Sequence, residues 1–204
     1  MKIAIVDDHQ IVREGLRMCL SAAPRHSVVG EAADGAAGLD LIQKQKPDVV
    51  LLDIAMPKLS GIEVLRRIKT LPQPQPAVLM LSMHSDPEFV AEALREGARG
   101  YVPKSSAFQE LLKALDEIEA GKNYTSPTLG DVSKVEAPTA DLTPRERQVL
   151  ELLASGLSTK QTAAQLGLSD KTVHAFRSRL MAKLGVRTLQ ELTKFAIRHG
   201  ITSV

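Results

Sequence analysis

Five side chains able to handle a metal ion and a phosphoryl group stand at the ends of short apolar runs. Asp7 and Asp8 follow Lys2–Val6, Asp53 follows Val49-Val50-Leu51-Leu52, Ser82 closes Ala77–Ser82, and Lys104 follows Gly100-Tyr101-Val102-Pro103. Consecutive apolar residues of this kind read as strands buried on both faces, the mark of a parallel sheet under helices. In such sheets chemistry gathers at the carboxyl ends of the strands. Three carboxylates brought to one edge repel unless a cation joins them. Oxygen ligation without cysteine or histidine suits Mg2+, a hard ion that prefers about six oxygens and keeps some of its waters. Beside that ion a carboxylate can attack a phosphoryl group, because the metal offsets charge on donor and acceptor. Lys104 would add a mobile positive charge near the phosphoryl oxygens, and Ser82 a hydrogen-bonding hydroxyl. Each residue alone has a blander reading: Asp7 and Asp8 as helix caps, Asp53 as an acidic strand end, Ser82 as a strand-end polar group, Lys104 as a surface lysine. Five together at equivalent strand ends point to a site.

The elements that must position them alternate regularly. Helical periodicity follows Asp8 in Ile11, Val12, Leu16, Cys19 and Leu20. A strand over Val28–Ala32 leads through Asp34-Gly35 to a helix with Leu41 and Ile42 inward, which Pro47 ends. Ser60-Gly61-Ile62-Glu63 has the capping-box pattern, ahead of an apolar face of Ile62, Leu65 and Ile68. Pro72, Pro74 and Pro76 form a loop before the fourth strand, and Asp86-Pro87 offers an N-cap and a first-turn proline. A fifth helix carries Phe108, Leu111, Leu112, Leu115 and Ile118. Five strands alternating with five helices predict a flavodoxin-like, doubly wound (βα)5 α/β domain over residues 1–120, with right-handed crossovers. Residues 121–141 are rich in Gly, Pro, Ser and Thr and read as a linker, within which Leu129, Val132 and Val135 mark at most one short helix.

Residues 142–204 have no strand pattern and repeated helix starts. Thr143-Pro144-Arg145-Glu146, Ser158-Thr159-Lys160-Gln161 and Thr188-Leu189-Gln190-Glu191 are all capping boxes, and Ser169 with Asp170 begins a further helix. Gly156, Gly167, Gly185 and Gly200 stand where helices should stop. The pattern predicts an all-α four-helix domain. Its middle helices are joined by Gly167-Leu168-Ser169, a helix-turn-helix signature. Charge divides at the same place. Residues 1–140 hold 16 Lys and Arg against 19 Asp and Glu, whereas residues 141–204 hold 10 against 5. The basic second part makes nucleic acid its expected partner.

Other functions are excluded or weakened. Cys19 is the single cysteine, so neither an intrachain disulfide nor a cysteine-based zinc site is expected, and its apolar helical setting suggests a buried structural thiol. No apolar run approaches 18 residues, so no membrane partner is expected. The first residues turn acidic too early for a signal peptide, and a cytoplasmic location fits.

Together, Asp7-Asp8, Asp53 with Met56-Pro57 and Gly61, Ser82, and Gly97-Ala98-Arg99-Gly100-Tyr101 with Lys104 resemble the receiver domain of two-component response regulators. Leu142-Thr143-Pro144-Arg145-Glu146, and Thr172-Val173 with Lys183-Leu184-Gly185-Val186, resemble a LuxR-type helix-turn-helix. The combination is similar to the NarL/FixJ response-regulator family over nearly the whole chain outside the linker. The resemblance implies that Asp53 accepts phosphate from a sensor histidine kinase. It implies that Asp8 and Asp53 bind Mg2+ directly, with the Ala55 carbonyl, and Asp7 through water. Ser82 and Tyr101 would be a switch pair, the hydroxyl turning to the phosphate as the ring moves inward. Ser105 stands where many receivers have proline after the lysine, so their cis Lys-Pro bond is absent.

The resemblance also makes the helix from Asp170 to Leu184 the element that enters the major groove of double-stranded DNA. Val173, Leu180 and Leu184 should pack inward, with Lys171, His174, Ala175, Ser178 and Arg179 near the groove. His174, Ala175 and Ser178 take the base-facing positions; Lys160, Thr172, Arg177 and Lys183 suit phosphate, which sets affinity rather than sequence. Family members commonly have His where this chain has Phe176, and Asn and Ile at Thr159 and Thr162. Phe176 should pack in the core. Phosphorylation would release the DNA-binding domain or dimerise the receivers, giving a homodimer on a two-part site, with the last helix, Leu189 to His199, between DNA-binding domains. RNA polymerase is a further expected partner. The alternatives are a phosphorylation-independent DNA binder whose receiver dimerises or senses a ligand, and a Mg2+-dependent phosphohydrolase with Asp53 as nucleophile. The second lacks the usual second acid, since Asp53-Ile54-Ala55 follows the strand. A flavin site fails because Asp7-Asp8 would repel a phosphate unless a metal intervened.

Overall fold

Alternation along each strand sorts the side chains of the first unit onto two faces of one sheet. β1 (Lys2–Val6) sends Ala4 and Val6 to one apolar cluster and Ile3 and Ile5 to the other. β3 (Val49–Leu52) does the same with Val50 and Leu52 against Val49 and Leu51. β4 (Ala77–Ser82) places Val78 and Met80 opposite Leu79 and Leu81. This computed structural model describes residues 1–83, 85–106, 108–132, 142–198 and 201–202. Val135, Asp141, His199 and Gly200, on which parts of the sequence reading fall, lie outside the described residues.

The sheet is parallel, in the order β2 (Ser27–Ala32), β1, β3, β4, β5 (Gly100–Pro103), β6 (Tyr124–Thr125). The chain steps outward from β1 to β2 and then returns past β1 to β3. The topological switch therefore falls between β1 and β3, where a crevice opens at the strand ends. α1 (Gln10–Ser21) and α5 (Phe108–Glu119) supply Leu20, Leu111, Ala114, Leu115 and Ile118 to one face. α2 (Gly35–Gln45), α3 (Gly61–Ile68) and α4 (Pro87–Arg95) cover the other with Ile42, Ile62, Val64, Leu65, Ile68, Val90 and Ala93. This is the doubly wound α/β arrangement, with one strand more than the sequence pattern marks.

The extra strand comes from the stretch read as linker. Tyr124 and Thr125 pair with Gly100 and Tyr101, Ser126 N donates to the Tyr101 carbonyl, and a 3-10 turn over Pro127–Leu129 buries Leu129 against the α2–α4 face. Two residues between turn formers carry no readable period. Four further local expectations also shift. Ser60 accepts from Glu63 N, but Glu63 reaches Arg67 and Arg66 instead of closing the capping box. Asp86 precedes α4 without a side-chain cap bond. Cys19 is half-buried rather than buried, and Ile11, in the apolar repeat of α1, is 80 % exposed.

The chain folds as two units, Met1–Glu136 and Ala137–Val204. In the second, α6 (Pro144–Ala154), α7 (Thr159–Leu166), α8 (Asp170–Lys183) and α9 (Leu189–Arg198) surround Val149, Leu150, Leu153, Ala163, Val173, Leu180, Leu192 and Ala196. Thr143 with Glu146, and Ser158 with Gln161, form complete reciprocal capping boxes. At the third, Thr188 caps Glu191 N, but the Glu191 carboxylate takes the Arg187 amide, one residue early. Gly167, at φ 63°, ends α7 in the left-handed conformation that lets the chain turn at once into α8. Among the described residues no helix is long and apolar enough to cross a membrane.

Candidate functional site

The two-residue period that sorts the core also aims the site. Asp7 continues the Ile3–Ile5 side of β1, Asp53 the Val49–Leu51 side of β3, and Lys104 the Val102 side of β5, so all three emerge over the α1–α5 face. Lys104 Nζ lies 2.7 Å from Asp7 Oδ2 and 2.8 Å from Asp53 Oδ2. All three side chains are at least 95 % buried. Lys104 is held there by its amide, which donates to the Ser82 carbonyl at 2.9 Å. Asp53 Oδ1 accepts from Ile54 N at 2.8 Å. Asp7 Oδ1 accepts from His9 N at 2.9 Å, and Arg13 donates to the Asp7 carbonyl at 2.7 Å. Burial pushes the Asp53 carboxyl above its ordinary value, with the Asp7 charge adding to the rise and Lys104 opposing it.

Asp8 lies at the mouth, about a third exposed, with its Oδ1 2.7 Å from His9 Nδ1. Asp7, Asp8 and Asp53, with His9 beside them, offer ligand atoms all within 4.8 Å of one another. Asp7 Oδ2 and Asp8 Oδ1 are buried and accept no aligned hydrogen bond among the described residues, although Lys104 Nζ and His9 Nδ1 each lie 2.7 Å away. Buried carboxylate oxygens facing a partly open mouth fit a hard divalent cation that keeps waters. Ala55 is exposed in the loop beside Asp53, between buried Ile54 and buried Met56. That loop is drawn close by Gly61, whose amide donates to the Ile54 carbonyl. A Cβ on Gly61 would come within 1.9 Å of the Asp53 carbonyl oxygen, so no other residue fits without moving the loop.

Ser82 and Tyr101 belong to the opposite, α4-covered side, with Tyr101 packed in the α2–α4 cluster. Both are fully buried, and the serine hydroxyl and the tyrosine phenol hydrogen-bond to each other. Burial pushes the phenol far up, so it stays protonated. The Tyr101 ring is therefore inward, with its oxygen at Ser82, the last residue of β4.

On the helical unit, Lys160, Lys171, His174, Ala175, Ser178 and Arg179 are exposed, while Thr172 and Arg177 are half-buried. Val173 and Leu180 are buried on the other side of α8, and Leu184 and Phe176 pack partly against that core. Thr172 is engaged at the start of α8, its hydroxyl 2.7 Å from that of Ser169, and His174 Nε2 lies 3.5 Å from the Thr159 hydroxyl. Lys183 departs from the phosphate role. Its ammonium donates at 2.9 Å to Glu146, a carboxylate only 3 % exposed, and so closes α8 onto α6.

Comparison with known proteins agrees with this division. Residues 3–116 match the family model of the response regulator receiver domain, and residues 140–196 that of bacterial regulatory proteins, luxR family. The chain is 40 % identical over 192 residues to the transcriptional regulatory protein UhpA of Escherichia coli, covering 94 % of this chain and 95 % of that one. It is 35 % identical over 206 residues to the transcriptional regulatory protein MctR of Rhizobium johnstonii, covering 100 % and 96 %. Among solved structures it is similar to RcsB from Salmonella enterica serovar Typhimurium bound to promoter rprA in the presence of phosphomimetic BeF3−. The TM-score there is 0.68 at 31 % identity, over 96 % of this chain and 98 % of that one. A structure of two RcsB dimers bound to two parallel DNAs gives 0.63 at 31 % identity, over 96 % of both chains.

Proposed function

Because the chain belongs to the response regulators, joining a receiver domain to a LuxR-type helix-turn-helix domain, we propose that it is a phosphorylation-controlled, DNA-binding regulator of transcription. Asp53 is the phosphoacceptor. Its carboxylate oxygen forms a bond to the phosphorus of a phosphohistidine on a sensor kinase as the P–N bond breaks, and the departing imidazole regains its proton. The observation that carries this reading is the buried triangle of Lys104, Asp7 and Asp53. A buried cation already balances two carboxylates there, and its Nζ can follow charge from the aspartate to an incoming phosphoryl oxygen. Asp8, Asp53 and the Ala55 carbonyl would hold Mg2+, with Asp7 through water. Bound there, the ion supplies neutralisation of the phosphoryl charge. Asp7 keeps Lys104 aimed, and Ser82 offers its hydroxyl to the phosphoryl oxygens, exchanging its bond with Tyr101 for that one.

In the second domain, α8 enters the major groove, with His174, Ala175 and Ser178 toward the bases and Lys171 beside them. Lys160, Thr172 and Arg177 contact phosphate, each neutralised phosphate adding about −0.9 to the slope of log affinity on log salt. Ala175 and Ser178 are short, which favours contacts with thymine methyl groups. The structure of two RcsB dimers bound to two parallel DNAs supports a homodimer as the active form here. Intact-mass measurement after treatment with acetyl phosphate and Mg2+ tests the acceptor. Wild type should gain one phosphoryl group and Asp53→Asn none; a phosphoryl group that persists in the variant sinks the assignment. Gel shift with and without the phosphodonor tests the control, and equal affinity in both conditions refutes it.

A further inference from the structure

Phe176 stands where the family commonly has histidine, and the structure gives its ring a neighbour that the DNA reading leaves unexplained. The guanidinium of Arg179 lies over that ring, 4.8 Å from its centroid, while its Nε donates to the Ala175 carbonyl at 3.4 Å. One side of the ring packs against the domain core, so the surface on which the guanidinium rests is fixed. A free arginine at an exposed helix position must give up much rotamer freedom to hold one partner. One already stacked loses less, and its planar N–H edge remains open to an acceptor.

The helix geometry says which acceptor. With 3.6 residues per turn, Lys171, His174, Ala175 and Ser178 form one strip, and Arg177 and Arg179 project roughly 90° to 110° to either side of its middle. A helix lying in the major groove with that strip on the base edges has a sugar–phosphate wall on each flank. We propose that Phe176 is a positioning residue that holds Arg179 as a fixed phosphate anchor on one wall, opposite Arg177 on the other. The pair grips α8 between the two walls and adds affinity without regard to base sequence. This rests on the DNA-binding reading above. The ligand class is a backbone phosphate diester, for which a guanidinium edge is suited to a bidentate bond.

The test is a double-mutant cycle in the full chain. Affinity is measured across a salt series on two duplexes: one selected by the wild type from a random pool, and one unrelated duplex of equal length. Arg179→Ala should weaken binding to both duplexes alike and lower the salt slope by about 0.9 for each phosphate that is no longer neutralised. Phe176→Leu, which keeps an apolar side chain against the core, should weaken both by a factor of about 2–5 for each recognition helix. In the Arg179→Ala background the same change should have no further effect. Phe176→Tyr, which retains the ring, should restore wild-type affinity. Equal losses from Phe176→Leu with and without Arg179 would mean that the ring acts through the core alone and would overturn the proposal. So would an Arg179→Ala variant with altered base preference and an unchanged salt slope, since Arg179 would then read a base. A wild-type chain that retards no duplex even at low salt overturns the DNA-binding reading, and the assignment with it.

Discussion

Thr162 carries a hydroxyl into a place where none of the described residues bonds it. The residue is fully buried in the helical domain, and its Oγ1 has no hydrogen-bond partner among the described residues. A buried hydroxyl without a partner carries a desolvation cost that an isosteric methyl does not. Thr162→Val should therefore stabilise this domain by about 1 kcal/mol. Urea unfolding followed by circular dichroism reads the change as a higher midpoint at unchanged slope; a lower midpoint would mean that the hydroxyl is bonded after all. At this scale the sequence is legible where a residue's role is local, and poorly legible where it depends on a distant partner. Asp53 stands out because a carboxylate ends an apolar run. Lys183 looks like one more basic residue on a basic helix, yet its partner Glu146 lies 37 residues away and turns its charge inward. His9 does not stand out, because its neighbours already offer enough oxygens and side-chain proximity across a helix start is not written in spacing.

The join between α6 and α8 shows what one such pair does for an element. Glu146 serves three groups at once: the Thr143 amide and hydroxyl, which fix the start of α6, and the Lys183 ammonium at the far end of α8. The Lys183 bond and the Thr143 amide hold its carboxyl below the ordinary value. An acid whose folded value lies below its unfolded one contributes stability that is complete above the unfolded value, 4.5 here, and is lost as pH falls through the folded one. The helical domain should thus lose stability in acid below pH 4.5. Glu146→Gln should remove that acid-sensitive part while costing about 1 kcal/mol at neutral pH, a modest figure because Lys183 is 39 % exposed and screened by solvent. Thermal unfolding from strongly acid to neutral pH checks both; a variant with the wild-type acid profile would show that other carboxylates set it. Elements with a long period or a complete cap, such as β3 or α7, are plain in the sequence. β6 is not, because Tyr124 and Thr125 become a strand only when the open edge of β5 offers them partners.

For the whole molecule the proposed function requires that a charge change at Asp53 alter DNA binding by α8. On the proposed function Ser82 and Tyr101 would be the part that takes two positions: the serine hydroxyl bonds the phenol here and would bond a phosphoryl oxygen instead, with the ring packed in the α2–α4 cluster. If that part selects between two states of the chain that differ in DNA affinity, coupling must run in both directions with equal strength. Beryllofluoride, the phosphomimetic present in the RcsB–promoter complex, allows this to be measured at equilibrium. A chain whose affinity for a duplex rises tenfold when beryllofluoride and Mg2+ are added has about 1.4 kcal/mol of coupling. Its affinity for beryllofluoride must then rise tenfold when that duplex is present. Tyr101→Phe removes the phenol oxygen but keeps the buried ring, and should change both factors together, by up to about fivefold for one hydrogen bond near 1 kcal/mol. Titrations in both orders, for wild type and variant, give four numbers that must agree in pairs. Affinities for DNA and beryllofluoride that ignore one another would mean that the two domains act independently, and that the receiver's charge controls something other than α8.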